Sequence, residues 1–475
     1  MKVPIKALLV LVSVAAGYQA AADRIGSLGL SIGLLLYFGI FACLALCLVL
    51  AAYVRSTILR GTYALLLAVS ALSLTAYERI TREQLSYDAF INLFNSAGFV
   101  DEALSQHASA ILGGIGISLL LFGAIVAPPR LKPPKWALAP AAPLIGTALL
   151  SAILFARGGE GAQGLPSPFP PLAYAGLYFY ELGNDPAPVR QTVKLTPRSG
   201  RPRRDIVLII DESIAGQYLD VNARSGVHSG LAAVRPGIAV YNYGLAAAVT
   251  NCSVGSNLTL RYGGTRTDYR RINKSMPSIW EYAKRARLRT TYIDGQRTGG
   301  GLQNLMTTAE TKWIDDFVQF GDVAIRDRDM AAADRLIAML ANDTADFVIV
   351  NKVGAHFPVH DKYPDAFMRY TPTLPRGQHE NISDTGDRSG FGGTAADWVR
   401  YRNAYRNVLL WSVGAFFDRL LADGDFSHAT LIYTSDHGQD LHETRHPGLD
   451  THCSGDPVPQ EGLVPLVAIE GSAAR

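Results

Sequence analysis

The stretch "IYTSDHGQDLHETRHPGLDTHC", residues 432–453, opens on Ile, Tyr and Thr and then turns at Ser435 into a polar segment with four histidines and three aspartates. An apolar run rich in β-branched and aromatic residues reads as a buried strand, so Asp436 and His437 stand at its carboxyl end. An isolated Asp-His pair is most often a plain polar loop. Here three other runs end in the same way. "DIVLIID" (205–211) is followed by Glu212 and Ser213, "TTYID" (290–294) by Gly295 and Gln296, and "DFVIV" (346–350) leads into "KVGAHFP", which carries His356. Between the runs lie helical patterns such as "SIWEYAKRARL" (278–288) and "YRNAYRNVLLWSVGAFFDRLLA" (401–422). This alternation predicts an α/β domain over residues 204–475, with a mostly parallel sheet between helices.

In such sheets chemistry collects beyond the carboxyl ends of the strands. Glu212, His356, Asp436 and His437 all fall there. A mixed carboxylate and imidazole set suits Zn²⁺, or less selectively Mn²⁺. A Ser or Thr hydroxyl on such an ion loses its proton near neutral pH, which is what an alcohol needs to attack phosphorus.

Toward the N-terminus the composition changes. Of the 475 residues 48% are apolar and only 18% charged, and the apolar excess sits in the first third. Five stretches nearly free of charge, 4–22, 28–53, 61–77, 110–128 and 136–156, are each close to the roughly 20 residues a bilayer requires. Lipid offers no hydrogen-bond partners, so these should be helices. Basic residues at Lys2 and Lys6, at Arg55 and Arg60, and at Arg130, Lys132 and Lys135 fall on one side if every stretch crosses, and that side is cytoplasmic. The expectation is a five-helix transmembrane domain over 1–156, its first helix a retained anchor rather than a cleaved signal, with residues beyond 156 outside the cytoplasmic membrane. Between the third and fourth stretches, "ERITREQLSYDAFINLFNSAGFVDEALSQHAS" sets Phe90, Phe94 and Ala97 opposite Asn92 and Ser96. An amphipathic helix near 84–106 on the outer membrane surface follows. Residues 157–203, with Gly and Pro throughout, read as a linker.

A net charge of +3 with no basic stripe in the exported part gives no case for nucleic acid. Cys43 and Cys47 fall in the second apolar stretch as lipid-side or packing residues. Cys252 and Cys453 fall in the exported part, where disulfides persist, and two cysteines there suggest one bridge.

Taken together, these residues resemble the sulfatase and alkaline phosphatase superfamily, and in particular the membrane phosphoethanolamine transferases that modify lipid A and other envelope glycans. "IVLIIDESIAGQYLD" looks like that family's first strand, whose glutamate binds zinc, and the matching residue is Glu212. "TNCSVGSNLTLRYGG" resembles the nucleophile segment, in which a hydroxyl residue lies four positions after a cysteine at a helix start. Counted from Cys252 that residue is Ser256, with Ser253 and Thr250 as rivals. "SDHG" matches the metal-binding Asp-His, so Asp436 and His437 carry over. "GAHFPVHDKYP" points to His356, and the histidine ahead of the strand "LVPLVAI" to His452, with His442 and His446 as alternatives. His360 reads as a solvated loop residue. The chain departs from the lipid A enzymes in reading Asp-Glu-Ser where they have Gly-Glu-Thr, and in a Ser rather than Thr nucleophile.

The resemblance implies a bacterial inner-membrane protein whose periplasmic catalytic domain takes phosphoethanolamine from phosphatidylethanolamine and passes it to an envelope glycan or lipid A. It implies Zn²⁺ held by Glu212, Asp436, His437 and Ser256, a covalent intermediate on Ser256, and His356 and His452 as groups that neutralise the non-bridging oxygens, bind a second metal or protonate the leaving group. By the same resemblance Asn92, Ser96 and Glu102 bind the donor head group. A hydrolase or a phosphoglycerol transferase on the same metal core is the alternative within the superfamily. A formylglycine sulfatase is disfavoured, because "CSVGSNLTLR" lacks the proline of that signature.

Overall fold

The structure is a computed structural model. It describes residues 3–81, 84–95, 100–129, 140–184, 190–196, 203–357, 359–376, 393–444, 451–453 and 457–471. The chain divides into two compact units, Met1–Pro186 and Ala187–Arg475.

The first unit is helical: α1 (Val3–Ala15), α2 (Tyr18–Leu28), α3 (Ile32–Ala51), α4 (Thr57–Thr81), α5 (Tyr87–Asn95), α6 (Val100–Val126), α7 (Ala142–Ala156) and α8 (Pro170–Asn184). Among the described residues two helices are long and apolar enough to cross a membrane, Ile32–Ala51 and Thr57–Arg79. A third qualifies if α1 and α2, bent by 53° at their break, count as one span. Ile111–Val126 and Ala142–Ala156 are apolar but shorter. Each of the five apolar stretches is thus mainly helical in its described residues. Lys6 Nζ donates to Ile125 O at 3.1 Å and Arg60 Nε to Val126 O at 3.0 Å. Two of the basic residues read as flanking the membrane therefore meet the carbonyl end of α6, where cations offset the helix dipole.

Two features of this unit escaped the sequence. The segment expected as one surface helix near 84–106 is divided: α5 has nine residues, and Val100 already begins α6. The stretch expected as linker contains α8, fifteen residues long. The aromatic face of α5 packs on α8, with Phe90 and Tyr174 ring centroids 5.7 Å apart and Phe94 and Tyr178 5.3 Å apart.

The second unit is built on a seven-stranded mixed sheet of β1 (Asp205–Asp211), β2 (Ile238–Ala247), β3 (Arg289–Asp294), β4 (Asp316–Gln319), β5 (Asp346–Asn351), β6 (Ala429–Ser435) and β7 (Leu463–Gly471), in the order β2-β7-β6-β1-β5-β3-β4. Strands β6, β1, β5, β3 and β4 run parallel, while at one edge β7 pairs antiparallel with β6 and β2 antiparallel with β7. β1 and β5 alternate little, because both of their faces are covered for most of their length. On one face Val207, Ile209, Val350 and Leu431 pack with Leu336, Tyr405, Phe416 and Phe417. On the other, Ile210, Phe347 and Ile349 pack with Trp280 and Tyr292. Trp280 belongs to α11 (Ile279–Arg285), which Ser278 and Glu281 open with a reciprocal capping box. Two further helices precede it, α9 (Ser253–Tyr262) and α10 (Tyr269–Ser275).

Candidate active site

The carboxyl ends of β6, β1, β5 and β3 lie side by side, and the parallel register fixes which residues meet. Asp211 pairs with Ser435, so the next residues of the two strands, Glu212 and Asp436, become neighbours. The turn after β1 is held from β6. Ser435 Oγ donates to Asp211 O at 2.9 Å and accepts from Ile214 N at 2.8 Å, while Ser213 N donates to Asp436 Oδ1 at 3.1 Å. These bonds keep Ser213 in the left-handed region, φ 62. Gly354, φ +55, lets the loop after β5 pass against this turn. A Cβ there would stand 2.5 Å from Asp211 Oδ1 and from Glu212 O, so only glycine fits.

Glu212, Asp436 and His437 form a buried cluster in which one ligand atom from each lies within 4.8 Å of the others. His437 Nε2 stands 3.2 Å from Glu212 Oε1 and 3.8 Å from Asp436 Oδ2. His437 Nδ1 lies 2.7 Å from Gly438 O. A carbonyl can only accept, so Nδ1 carries the hydrogen and Nε2 is the atom turned to the carboxylates. The charges are crowded. Burial pushes the Asp436 carboxyl up, Glu212 adds to it, and it reaches about 7. Burial opposes the charge on His437, but Asp436 and then Glu212 outweigh it and push the imidazole up to about 10. Burial likewise works against Glu212, yet the hydrogen bond and charge of His437 hold that carboxyl well below its usual range. Two carboxylates and an imidazole turned inward at this spacing fit a divalent cation, which would supply the charge that His437 otherwise carries.

Two hydroxyls meet Glu212 Oε1, that of Ser213 at 3.1 Å and that of Ser253, and the one that also meets His437 belongs to Ser253. Cys252 is the extended N-cap of α9, φ −131 and ψ 145, and Ser253 is its first helical residue. Ser253 Oγ donates to Glu212 Oε1 at 2.8 Å and lies 3.1 Å from His437 Nε2. Ser256, favoured by the spacing from Cys252, sits one turn further in. It is 3% exposed and its Oγ donates to Thr250 O at 3.0 Å. Thr250 Oγ1 in turn donates to Cys252 O at 2.8 Å, so both residues serve the turn that leads into α9.

Two carboxamides hold the acids from behind. Gln296 Nε2, beyond β3, donates to Glu212 Oε2 at 3.1 Å and to Lys352 O at 2.8 Å. Asn257 Nδ2 donates to Asp436 Oδ2 at 3.1 Å and to Ser253 O at 3.1 Å. Sequence reasoning gave neither a role. Gln296 was visible as a polar residue at a strand end, and Asn257 as the residue one helical turn beyond Ser253. Below them Lys352, fully buried, donates to Asp211 Oδ2 at 2.6 Å. Asp329 accepts from Val353 N at 2.7 Å and Gly354 N at 3.1 Å, which fixes the loop that carries His356.

The other candidate histidines divide. His452 stacks on His437, centroids 4.4 Å apart and planes at 17°. His356 is half-buried, its Nδ1 2.7 Å from Phe357 O, and its charge bears on Glu212. His442 stacks instead on Trp398 at 3.8 Å, with its backbone N donating to Asp440 Oδ1 at 2.8 Å. His360, expected in solvent, is 6% exposed and edge-on to Phe357. His446 lies outside the described residues, as do Ser96 and the side chains of Asn92 in α5 and Glu102 in α6. Cys252 and Cys453 form the expected disulfide, Cα atoms 4.8 Å apart, and Cys453 N donates to Asn251 O at 2.9 Å. The bridge ties the start of α9 to the residue after His452.

This arrangement of strand ends, buried Glu-Asp-His cluster and helix-borne hydroxyl is that of an alkaline phosphatase-like or sulfatase-like domain. A model of the sulfatase family matches residues 204–468, more than half of the chain, and the chain belongs to that family. Among solved structures it is similar to the integral membrane lipooligosaccharide phosphoethanolamine transferase A of Neisseria meningitidis, with a TM-score of 0.60 and 15% identity over 98% of this chain and 89% of that one. The C-terminal periplasmic domain of EcEptC from Escherichia coli, in complex with Zn, matches with a TM-score of 0.47 and 19% identity over 60% of this chain and 78% of that one. The C-terminal periplasmic domain of phosphoethanolamine transferase EptC from Campylobacter jejuni matches with a TM-score of 0.39 and 16% identity over 56% and 79%. No curated protein sequence matches the chain significantly.

Proposed function

We propose that the chain is a phosphoethanolamine transferase of the bacterial inner membrane, with its catalytic unit in the periplasm, that moves phosphoethanolamine from phosphatidylethanolamine to an envelope glycan or lipid A. The observation that carries this reading is the Ser253 hydroxyl, placed at the start of a helix and hydrogen-bonded to Glu212 and His437 inside a buried metal-type cluster. The membrane-length helices and the likeness to a full-length membrane transferase support a lipid donor. All five apolar helices are read as spans, the two shorter ones completed by their flanking residues.

Glu212, Asp436 and His437 would hold the ion, and Zn²⁺ is favoured for this donor set. The chemistry zinc supplies when bound is acidification of a neighbouring hydroxyl and neutralisation of phosphoryl charge. The chain does the rest. Ser253 Oγ attacks phosphorus, the Oγ–P bond forms, and the bond to the diacylglycerol oxygen breaks. Glu212 Oε1 and His437 Nε2 hold the hydroxyl in place for that attack. The first-turn N–H groups of α9 are the donors a phosphoryl oxygen would meet. Of His452 and His356, which flank the cluster, one takes the Ser253 proton and the other protonates the departing diacylglycerol oxygen, and attack by the acceptor reverses both transfers. A hydroxyl or phosphate of the acceptor then attacks the same phosphorus and frees Ser253. With Asn92, Ser96 and Glu102 on the helical unit as the head-group contacts, the donor would be selected at the membrane.

The test is mass spectrometry of lipids and glycans from cells with and without the gene. One added phosphoethanolamine unit on an envelope species, and free diacylglycerol beside it, is the expected outcome. An added phosphoglycerol, or loss of a phosphate with no species gaining one, would move the reading to the phosphoglycerol transferase or the hydrolase.

A further inference from the structure

The turn that carries Glu212 is gripped by one long helix, which runs as Ala395–Val408, a π-helical stretch Leu409–Ala415, and Phe416–Asp423. Tyr405, fully buried and edge-on to Tyr218 at 5.4 Å, sends its hydroxyl into that turn. Its Oη donates to Ser213 O at 2.9 Å and accepts from Ala215 N at 2.8 Å. A phenol has one hydrogen to give, so the donor is spent on the backbone of the turn. Further along, the π-helical stretch turns Ser412 O to Lys352 Nζ, and Lys352 holds Asp211 Oδ2 at 2.6 Å. The Phe416 ring lies 4.2 Å from the same ammonium. One helix thus fixes residues 211, 213 and 215 together. Among them Ser213 stands in the left-handed region at φ 62, which a residue with a Cβ keeps only where its surroundings over-determine it. In that conformation Ser213 Oγ donates to Glu212 Oε1 at 3.1 Å, the same oxygen that accepts from Ser253 Oγ at 2.8 Å and faces His437 Nε2 at 3.2 Å.

We infer that Tyr405 is a positioning residue of the site, one that touches neither the cluster nor the attacking hydroxyl and acts through Ser213 on Glu212. Each oxygen of Glu212 has its own holder. Oε2 is held by Gln296, and Oε1 by Ser213, whose reach depends on the left-handed turn. Ser213 and Ala215 are both fully buried, so removing the Tyr405 hydroxyl leaves a carbonyl and an N–H without that partner where water does not replace it. The turn then relaxes, Ser213 Oγ leaves Oε1, and the carboxylate loses the orientation in which it meets an ion and Ser253. The rival is a core tyrosine whose hydroxyl is merely satisfied by nearby backbone, and that role predicts lost stability alone. The inference rests on Glu212 as a metal ligand in the function proposed above.

The experiment uses the full-length protein in nanodiscs, as Tyr405→Phe, Ser213→Ala and both together, titrated for zinc by chelator competition with amide hydrogen exchange followed alongside. The inference expects each single variant to lose about 10- to 100-fold in zinc affinity. The double variant should lose no more than the weaker-binding single one, because the two residues act in series. Exchange at residues 213–215 should quicken in Tyr405→Phe while β3 and β5 exchange as in the native protein, which reports that the variant is folded. Leu420→Val, a truncation in the core that Tyr405 shares, should keep zinc affinity within about twofold. Native affinity in Ser213→Ala, native affinity in a folded Tyr405→Phe, losses that multiply in the double variant, or an equal loss in Leu420→Val would each overturn the inference. None of these readouts involves transfer, so failure of the transferase reading would show in the lipid and glycan masses and leave them unchanged.

Discussion

At the scale of single residues the account turns on one hydroxyl. Ser253→Ala should lower transfer by about a thousandfold or more with the fold intact, since its Oγ reaches the cluster and fills no core. Ser256→Ala should stay within a few-fold of the native rate and cost about 1 kcal/mol of stability, the worth of its bond to Thr250 O. Rates and unfolding midpoints of the two purified variants separate the serines. The spacing from Cys252 points to Ser256 with Ser253 as a rival, and the choice between them turns on the helix start, which the structure puts at Ser253. Glu212, Asp436 and His437 were legible because strand ends in a parallel sheet are fixed by register. The supports behind them were not, because a carboxamide such as Gln296 has no chemistry of its own to announce. Gln296→Leu should weaken zinc binding about 10- to 100-fold, read by chelator competition, because Glu212 Oε2 loses its donor. Unchanged affinity would show that Glu212 needs no such support.

Among the elements, β1, β3, β5 and β6 announced themselves as apolar runs ending in polar residues, while β2, β4 and α8 did not. β2 is an edge strand with Tyr241 and Tyr243 exposed and a register shift between Asn242 and Leu245, so it shows neither a buried run nor clean alternation. α8 was hidden by the two prolines at its start and the Gly-rich residues before it, although Pro in a first turn is well tolerated. The start of β1 carries a measurable cost. Asp205 accepts Asp346 N at 2.8 Å, and burial, with the charge of Asp346, pushes its carboxyl up to about 6. The folded state then holds this proton more tightly than the unfolded chain. Its contribution is favourable at pH 4, is lost as pH rises toward 6, and stays lost above. Asp205→Asn keeps an oxygen acceptor and should raise stability on the order of 1 kcal/mol at pH 8 and not at pH 4, after allowance for solvent screening. Melting curves at the two pH values check the sign. The loop end of β6 depends on the disulfide, so Cys252→Ser should cost about 2 to 5 kcal/mol and weaken transfer further by loosening the segment beside His452. The double variant with Cys453→Ser should be no worse than the single one.

For the whole molecule, a helical unit with two membrane-length helices among its described residues and a sulfatase-family unit share one chain, and the lipid donor proposed above would give both a use. The division was plain from composition, since the apolar excess ends near residue 156, but the helical unit continues to Pro186 because α8 packs on α7, where Ser151 Oγ donates to Ala173 O at 3.2 Å. The central claim is that phosphoethanolamine passes through Ser253, and the direct measurement is to trap it there. The full-length protein, loaded with zinc, is incubated with phosphatidylethanolamine and no acceptor, quenched in acid, digested and mapped by tandem mass spectrometry. The account predicts one phosphoethanolamine on the peptide containing residues 250–262, with fragment ions placing it on Ser253, and equimolar diacylglycerol released. An adduct localised to Ser256, or diacylglycerol released with no adduct on either serine under conditions that preserve phosphoserine esters, would contradict it.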